Sequence, residues 1–186
     1  MQKLTIITDM DDVLENFCEI WVNFLNGKFG RDVRPEDVTD WDISKSYPGI
    51  DKHLLYKVIE QEDFWKLIRP LPEADVVTRE LVEEGHRVFV ATKATPVTAV
   101  YKYEHVMKRF FPHIPVRSFN VVNDKSLLRG DVIIDDNPRN LGGDFKAKIL
   151  FTAPHNRSCH AAANGFLRAN DWQTVYKIIC EVACQW

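Results

Sequence analysis

Five short apolar runs punctuate the chain: LTIIT at 4–8, RVFVAT at 87–92, SFNVV at 118–122, DVIID at 131–135 and KILFT at 148–152. They are rich in Val, Ile and Phe and do not alternate strictly with polar residues, as expected of strands covered on both faces. Between them the apolar positions change to helical spacing. EADVVTRELVEEG sets Val76, Val77, Leu81 and Val82 along one side, with Gly85 where a helix C-terminus would use it. TAVYKYEHVMKRFFP does the same with Val100, Tyr103, Val106, Met107 and Phe110 before Pro112, and DWQTVYKIICEVACQW closes the chain with Asp171 as N-cap. The alternation predicts an α/β fold, a Rossmann-like parallel sheet with helices on both faces.

One interval is too long for this scheme. A βαβ unit takes about 30 residues or somewhat more, yet roughly twice that length separates TDMDD from RVFVAT. The surplus, residues 16–70, holds one helical pattern near NFCEIWVNFLNGKFG, a polar stretch RDVRPEDVTDWDISKSYPGID, and a second helical pattern near KHLLYKVIEQEDFWKL. It is expected to form a small helical cap over the strand ends, inserted into an α/β core made of residues 1–15 and 71–186.

Composition narrows the function classes. A chain of 186 residues with 45% hydrophobic and 27% charged residues has the balance of a globular domain with a substantial core. Its formal charge of −3 argues against polymeric nucleic acid as a partner, which calls for a basic patch or stripe. No apolar run approaches the roughly 18 residues that span a bilayer, and MQKLTIITDMDD turns acidic too early for a signal peptide, so a cytoplasmic protein without a membrane partner is expected. Cys18, Cys159, Cys180 and Cys184 show no CxxC spacing, which fits a reducing compartment; Cys180 and Cys184 should share a helix face as small hydrophobes. Nothing in the sequence decides between a monomer and a homodimer.

In open parallel sheets, ligands bind beyond the carboxyl ends of the strands. The residues at those ends are Asp9 and Asp11 after the first strand, Thr92 closing the second, Lys125 after the third, and Asp135 and Asp136 at the end of the fourth. Singly, each has a bland reading as a turn aspartate, a capping threonine or a solvated lysine. Together they converge on one rim, where functional loops gather. Several carboxylates suit Mg²⁺, an oxygen-seeking ion. A hydroxyl and a lysine can hold phosphate oxygens while metal and cation offset developing charge. Two carboxylates two residues apart can divide the labour, one attacking phosphorus and the other passing protons.

The motif DMDDV, Thr92 ending VFVAT, Lys125, and VIIDD resemble, in that order, the four motifs of the haloacid dehalogenase superfamily, in its phosphatase form. DMDDVLENF, EDFWKLIRPLPEA, DVIIDDNPRNL, LFTAPHN and NDWQTVYKII are similar to stretches of the 5'(3')-deoxyribonucleotidases and their bacterial relatives, over nearly the whole chain. The resemblance implies a Mg²⁺-dependent phosphatase of nucleoside monophosphates. Asp9 would be the nucleophile and Asp11 the proton donor and acceptor, its main-chain carbonyl also on the metal. Thr92 and Lys125 would hold the phosphate, with Lys93 beside them. Asp9 and Asp136 would ligate Mg²⁺ directly, with Asp135 behind. Phe17 and Trp65, with Trp41 as a third candidate, would stack on the base, a contact worth about 1–3 kcal/mol in single-strand binders. The competing expectation for these rings is packing inside the cap.

Two positions depart from the family. Asp12 stands where many members have Gly; Asp tolerates a left-handed backbone but adds negative charge. Lys93 replaces a small hydroxyl residue. His155 and Asn156 are expected to order the loop after the fifth strand. Other readings remain: a phosphatase of another small ester such as a sugar phosphate, a non-catalytic nucleotide or metal binder, or a phospho-receiver module. In receiver domains, however, the acceptor Asp ends the third strand and the Lys comes last.

Overall fold

The computed structural model describes residues 2–185. Six parallel strands, β1 (Thr5–Thr8), β2 (Arg87–Thr92), β3 (Phe119–Val121), β4 (Val132–Asp135), β5 (Ala147–Phe151) and β6 (Leu167–Ala169), form one sheet in the order β3-β2-β1-β4-β5-β6. The five runs predicted as strands are β1 to β5 within a residue or so at each end. The sixth, LRA, is too short to show a pattern. β1 lies inside the sheet, so Ile6 and Ile7 point to opposite faces and both are buried.

Helices α4 (Ala74–Glu83), α5 (Pro96–Tyr101) and α7 (Trp172–Cys184) belong to the core face that holds Leu4, Ile6, Val88, Val90, Val132, Ile134 and Ile149. On the opposite face Ile7, Ala91, Ile133 and Leu150 pack with Leu141, Phe145 and Ala161, beside the short 3-10 turns Pro138–Asn140 and Ala162–Asn164. The sheet is thus flanked on both sides, with the longer helices on one.

Two helix faces differ from expectation. α4 buries Ala74, Val77, Thr78 and Leu81, an i, i+3, i+4, i+7 stripe, which leaves Val76 turned outward and 56% exposed. α5 runs into a π-helical stretch, Lys102–Met107, and then α6 (Lys108–Phe110). The wider turn brings Lys102, Val106 and Met107 inward, while Val100 faces solvent. The four cysteines are free; Cys180 is half-buried, but Cys184 is exposed and does not pack as a core residue.

The inserted segment contains α1 (Phe17–Phe29), α2 (Lys52–Lys57) and α3 (Glu62–Leu67). α1 ends on Gly30 at φ 60°, a left-handed cap that returns its N–H to the Asn26 carbonyl. The single helix expected over 52–67 is interrupted by a 3-10 turn, Val58–Glu60, and by extended backbone at Gln61. The interruption lets Trp65 turn back and donate its indole N–H to the Ile59 carbonyl (2.7 Å), with Phe64 and Trp65 both against Phe17. The two ends of the segment are tied together. Asn16 N–H donates to the Arg69 carbonyl (3.1 Å), Arg69 N–H to Asn16 Oδ1 (2.9 Å), and Leu71 N–H to the Leu14 carbonyl (2.9 Å). Among the described residues no helix is long and apolar enough to cross a membrane.

Candidate active site

Register explains why the strand-end residues meet. Thr8 pairs with Val90 of β2 and Ile134 of β4, so Asp9 and Met10 are level with Asp135 and Thr92 on the neighbouring strands. Asp9 N–H continues the ladder by donating to the Ile134 carbonyl (2.8 Å). β3 pairs Val121 with Thr92, and four residues further on Lys125 reaches back under the rim.

Lys125 is buried, and its Nζ lies 2.8 Å from Asp9 Oδ2 and 2.7 Å from Asp135 Oδ2. Burial disfavours the ammonium, but the charges of Asp9 and Asp135 outweigh it and hold its pKa above the usual lysine range. The other oxygen of Asp9 accepts the Met10 N–H (2.7 Å). Asp135 is saturated: its second oxygen accepts from Asn137 N–H and Asn140 Nδ2, both at 2.9 Å. Asp136 points elsewhere, with Oδ2 2.5 Å from His155 Nε2.

Asp11 is held by a second buried lysine, Lys102, which the sequence did not single out. Lys102 Nζ donates to both oxygens of Asp11 (2.6 Å each), to Thr92 Oγ1 (2.6 Å) and to the Lys93 carbonyl (3.1 Å). Its signal was a lysine standing at i+4 from Thr98 and i−4 from Val106, in the buried stripe of its helix. Lys93 itself is exposed. Asp12 adopts φ 56° as anticipated, and its Oδ1 accepts the Cys18 N–H (2.8 Å) at the start of α1.

Negative charge is in excess. Asp9, Asp11, Asp12, Asp135 and Asp136 face two buried ammonium groups, Lys102 and Lys125. Burial, then the charges of Asp136 and Asp11, raise Asp9 to about 6 against the opposing pull of Lys125. Asp12 is pushed well up by burial and by Asp136. Glu15 is fully buried, and neither carboxyl oxygen finds a hydrogen-bond partner among the described residues. Burial, then Asp11 and Asp12, push its pKa well above the usual value. Asp9, Asp135 and Asp136 each present an oxygen within 4.8 Å of the others, a hard-oxygen set suited to a small divalent cation that would relieve this repulsion.

Two cavities meet at Asp11, Phe17 and Lys93. One, of about 240 Å³, is lined by Asp9, Lys125, Asp136 and His155 and by Trp41 of the inserted segment. The other, of about 370 Å³, is lined by Tyr56, Trp65, Thr95 and Lys102. The three aromatic candidates therefore do not share one wall: Phe17 stands between the cavities, Trp41 borders the first and Trp65 the second. Trp65 is otherwise buried, with its N–H already used.

Comparison with known proteins identifies the family. The family model described as "5' nucleotidase, deoxy (Pyrimidine), cytosolic type C protein" matches residues 3–185. A 5'(3')-deoxyribonucleotidase of Bacillus subtilis is 31% identical over 178 residues, covering 93% of this chain and 96% of the relative. One from Clostridium acetobutylicum is 30% identical over 181 residues, covering 97% of each. Among solved structures, a HAD family hydrolase from Deinococcus radiodurans, with bound phosphate and sodium, superposes with a TM-score of 0.62 at 11% identity, covering 96% of this chain and 95% of that one. A haloacid dehalogenase-like protein from Agrobacterium tumefaciens gives 0.62 at 13% identity, covering 98% and 100%. These two distant likenesses speak to the fold alone. With nearly full-length matches to nucleotidases, the chain belongs to the 5'(3')-deoxyribonucleotidase family, and its fold is haloacid dehalogenase-like.

Proposed function

We propose that the protein hydrolyses deoxyribonucleoside and ribonucleoside monophosphates through a phosphoryl group carried on Asp9. The observation that carries this reading is that Asp9 and Asp11, two residues apart, are held by different lysines: Asp9 by Lys125, Asp11 by Lys102. One carboxylate is fixed at the strand end for attack; the other is turned toward the leaving group.

The phosphate sits against Thr92 and Lys125, with Lys93 at the mouth. An Asp9 oxygen attacks phosphorus, the bond from phosphorus to the nucleoside oxygen breaks, and Asp11 supplies the proton that oxygen takes. Water then attacks the acyl phosphate, giving its proton to Asp11; the bond between phosphorus and the Asp9 oxygen breaks, and phosphate and free Asp9 result. Mg²⁺ fits the excess carboxylates and, when bound, neutralises phosphate charge and orients the ester. Asp9, Asp136 and the Asp11 main-chain carbonyl would hold it. Asp135, saturated by Lys125, Asn137 and Asn140, stands behind them. The relatives named as 5'(3')-deoxyribonucleotidases and the neighbour named with bound phosphate support this reading.

The inserted segment acts as a cap, and the nucleoside extends from Asp11 past Phe17 into the cavity bordered by Tyr56 and Trp65. The test is phosphate release from 5' and 3' deoxyribonucleotides, ribonucleotides and sugar phosphates, with Mg²⁺ and with EDTA. Metal-dependent release favouring nucleotides is expected. A preference for sugar phosphates would discard the nucleoside pocket while keeping the chemistry.

A further inference from the structure

His155 lies in the 3-10 turn Pro154–Asn156 that follows β5, and it is buried. Its Nε2 is 2.5 Å from Asp136 Oδ2. The adjacent Asn156 donates through Nδ2 to the main-chain carbonyls of Asp136 and Phe151, both at 2.7 Å. One short turn therefore grips Asp136 by side chain and by backbone. With Oδ2 engaged by the imidazole, Oδ1 is left for a cation shared with Asp9.

The imidazole has a neighbour from the inserted segment. The Trp41 ring lies over it with centroids 4.5 Å apart and planes at 53°. The 3-10 turn Pro35–Asp37, also in that segment, packs beside the Pro154–Asn156 turn. A chain of contacts thus runs from the inserted segment through Trp41 and His155 to a carboxylate of the metal set. Carboxylates that bind metals are commonly fixed by such outer hydrogen bonds.

We propose that His155 is a positioning residue for the Asp136 carboxylate and that Trp41 clamps its ring, so that divalent-cation affinity depends on the inserted segment. This rests on the reading above that the site takes a divalent cation. It concerns residues that are not themselves ligands in that reading. Asp12, Asp136 and His155 also place ligand atoms within 4.8 Å of one another, so the test must separate positioning from direct ligation by the imidazole.

The measurement is Mn²⁺ binding to the metal-stripped protein, followed by the EPR signal of free Mn²⁺. No substrate is involved, so its failure is distinct from failure of the nucleotidase reading. His155→Ala should raise the Kd about 10- to 100-fold, the usual effect of losing an outer partner. His155→Gln, whose amide N–H can still reach Oδ2, should recover most of the affinity. Trp41→Ala should raise the Kd about threefold to tenfold, and Trp41→Phe, which keeps a ring, should bind as the wild type does. A role in folding alone would lower Tm without producing this ordered series. Affinity within twofold of wild type in both His155→Ala and Trp41→Ala would overturn the proposal, as would a ¹⁴N coupling from His155 in pulsed EPR of the Mn²⁺-loaded protein. Should His155→Ala fail to fold, the Gln variant and the Trp41 pair decide. A wild type that binds no Mn²⁺ would overturn the metal reading and this proposal with it.

Discussion

Replacing Asp9 with Asn should abolish phosphate release and, in EDTA, make the protein more stable at neutral and alkaline pH. Asp9 is only 9% exposed, and its rise from the usual 3.8 to about 6 has burial as its largest cause, followed by the charges around it. At about 1.4 kcal/mol per pKa unit, keeping it ionised in the fold costs about 3 kcal/mol. Because the folded pKa lies above the unfolded one, the contribution of Asp9 to stability is fully present below about pH 3.8. It is lost as pH rises through about 6. Asn is neutral throughout, keeps one oxygen to accept the Met10 N–H, and gives up the acceptor that faced Lys125, which retains its second partner, Asp135. Some attraction to Lys125 is lost, so the net gain at pH 8 should be about 1–3 kcal/mol, or roughly 2–10 °C in Tm for a chain of this size. Calorimetric melts from pH 4 to pH 8 in EDTA read this directly. The gap between variant and wild type should close toward pH 4. A variant that melts at or below the wild type at pH 8, or a gap constant with pH, would refute the reasoning. Adding Mg²⁺ should stabilise the wild type more than the variant, because a ligand that prefers the native carboxylate adds its binding free energy to the fold.

Lys102→Met keeps the buried stem but frees Asp11, and kcat should fall about 100-fold, the effect of a misplaced catalytic group, with KM altered less; steady-state kinetics within threefold of wild type would count against the clamp. Glu15→Met replaces a buried carboxyl without hydrogen-bond partners by an apolar chain of similar length and should stabilise by about 1–3 kcal/mol in a thermal melt. A lower Tm would refute this reading of Glu15. Asp12→Asn keeps the left-handed tolerance and the acceptor for Cys18 N–H while removing a charge beside the phosphate site. KM for a nucleoside monophosphate should fall about threefold or more, equivalent to ~0.7 kcal/mol of relieved repulsion.

The parts of the site that are legible from sequence are those tied to strand ends. A buried parallel strand is a run of Val, Ile and Phe, and the polar residue after it has nowhere to go but the rim. Asp9, Thr92 and Asp135 follow from that constraint, and Lys125 from its place in the ordered motif. Lys102 escapes because a lysine is ordinarily given to solvent by its charge, whatever its place on the helix, whereas this one stays in the buried stripe and reaches Asp11. His155 reads as a loop residue because its contact with Asp136 spans nineteen residues of chain, with β5 between them. The helix break at Gln61 is hidden for a different reason. A 3-10 turn followed by an α-turn keeps nearly the apolar spacing of a continuous helix, and only the tertiary bond from Trp65 to Ile59 reveals the bend.

The knot of hydrogen bonds at Asn16, Arg69, Leu14 and Leu71 has an evolutionary consequence. The chain leaves the sheet and re-enters it at neighbouring points, where Glu15 and Pro70 pair as in an antiparallel ladder, about 5 Å apart. Everything between can be lengthened, shortened or exchanged without displacing Asp9 or Asp135, whose positions are set by β1 and β4. Substrate range can therefore drift while the strand-end carboxylates keep their places, with the Trp41–His155 contact as a link that must be kept. A chimera that carries residues 17–68 from a relative but keeps Trp41 should take the donor's choice of ester while keeping the recipient's metal affinity and rate-determining apparatus.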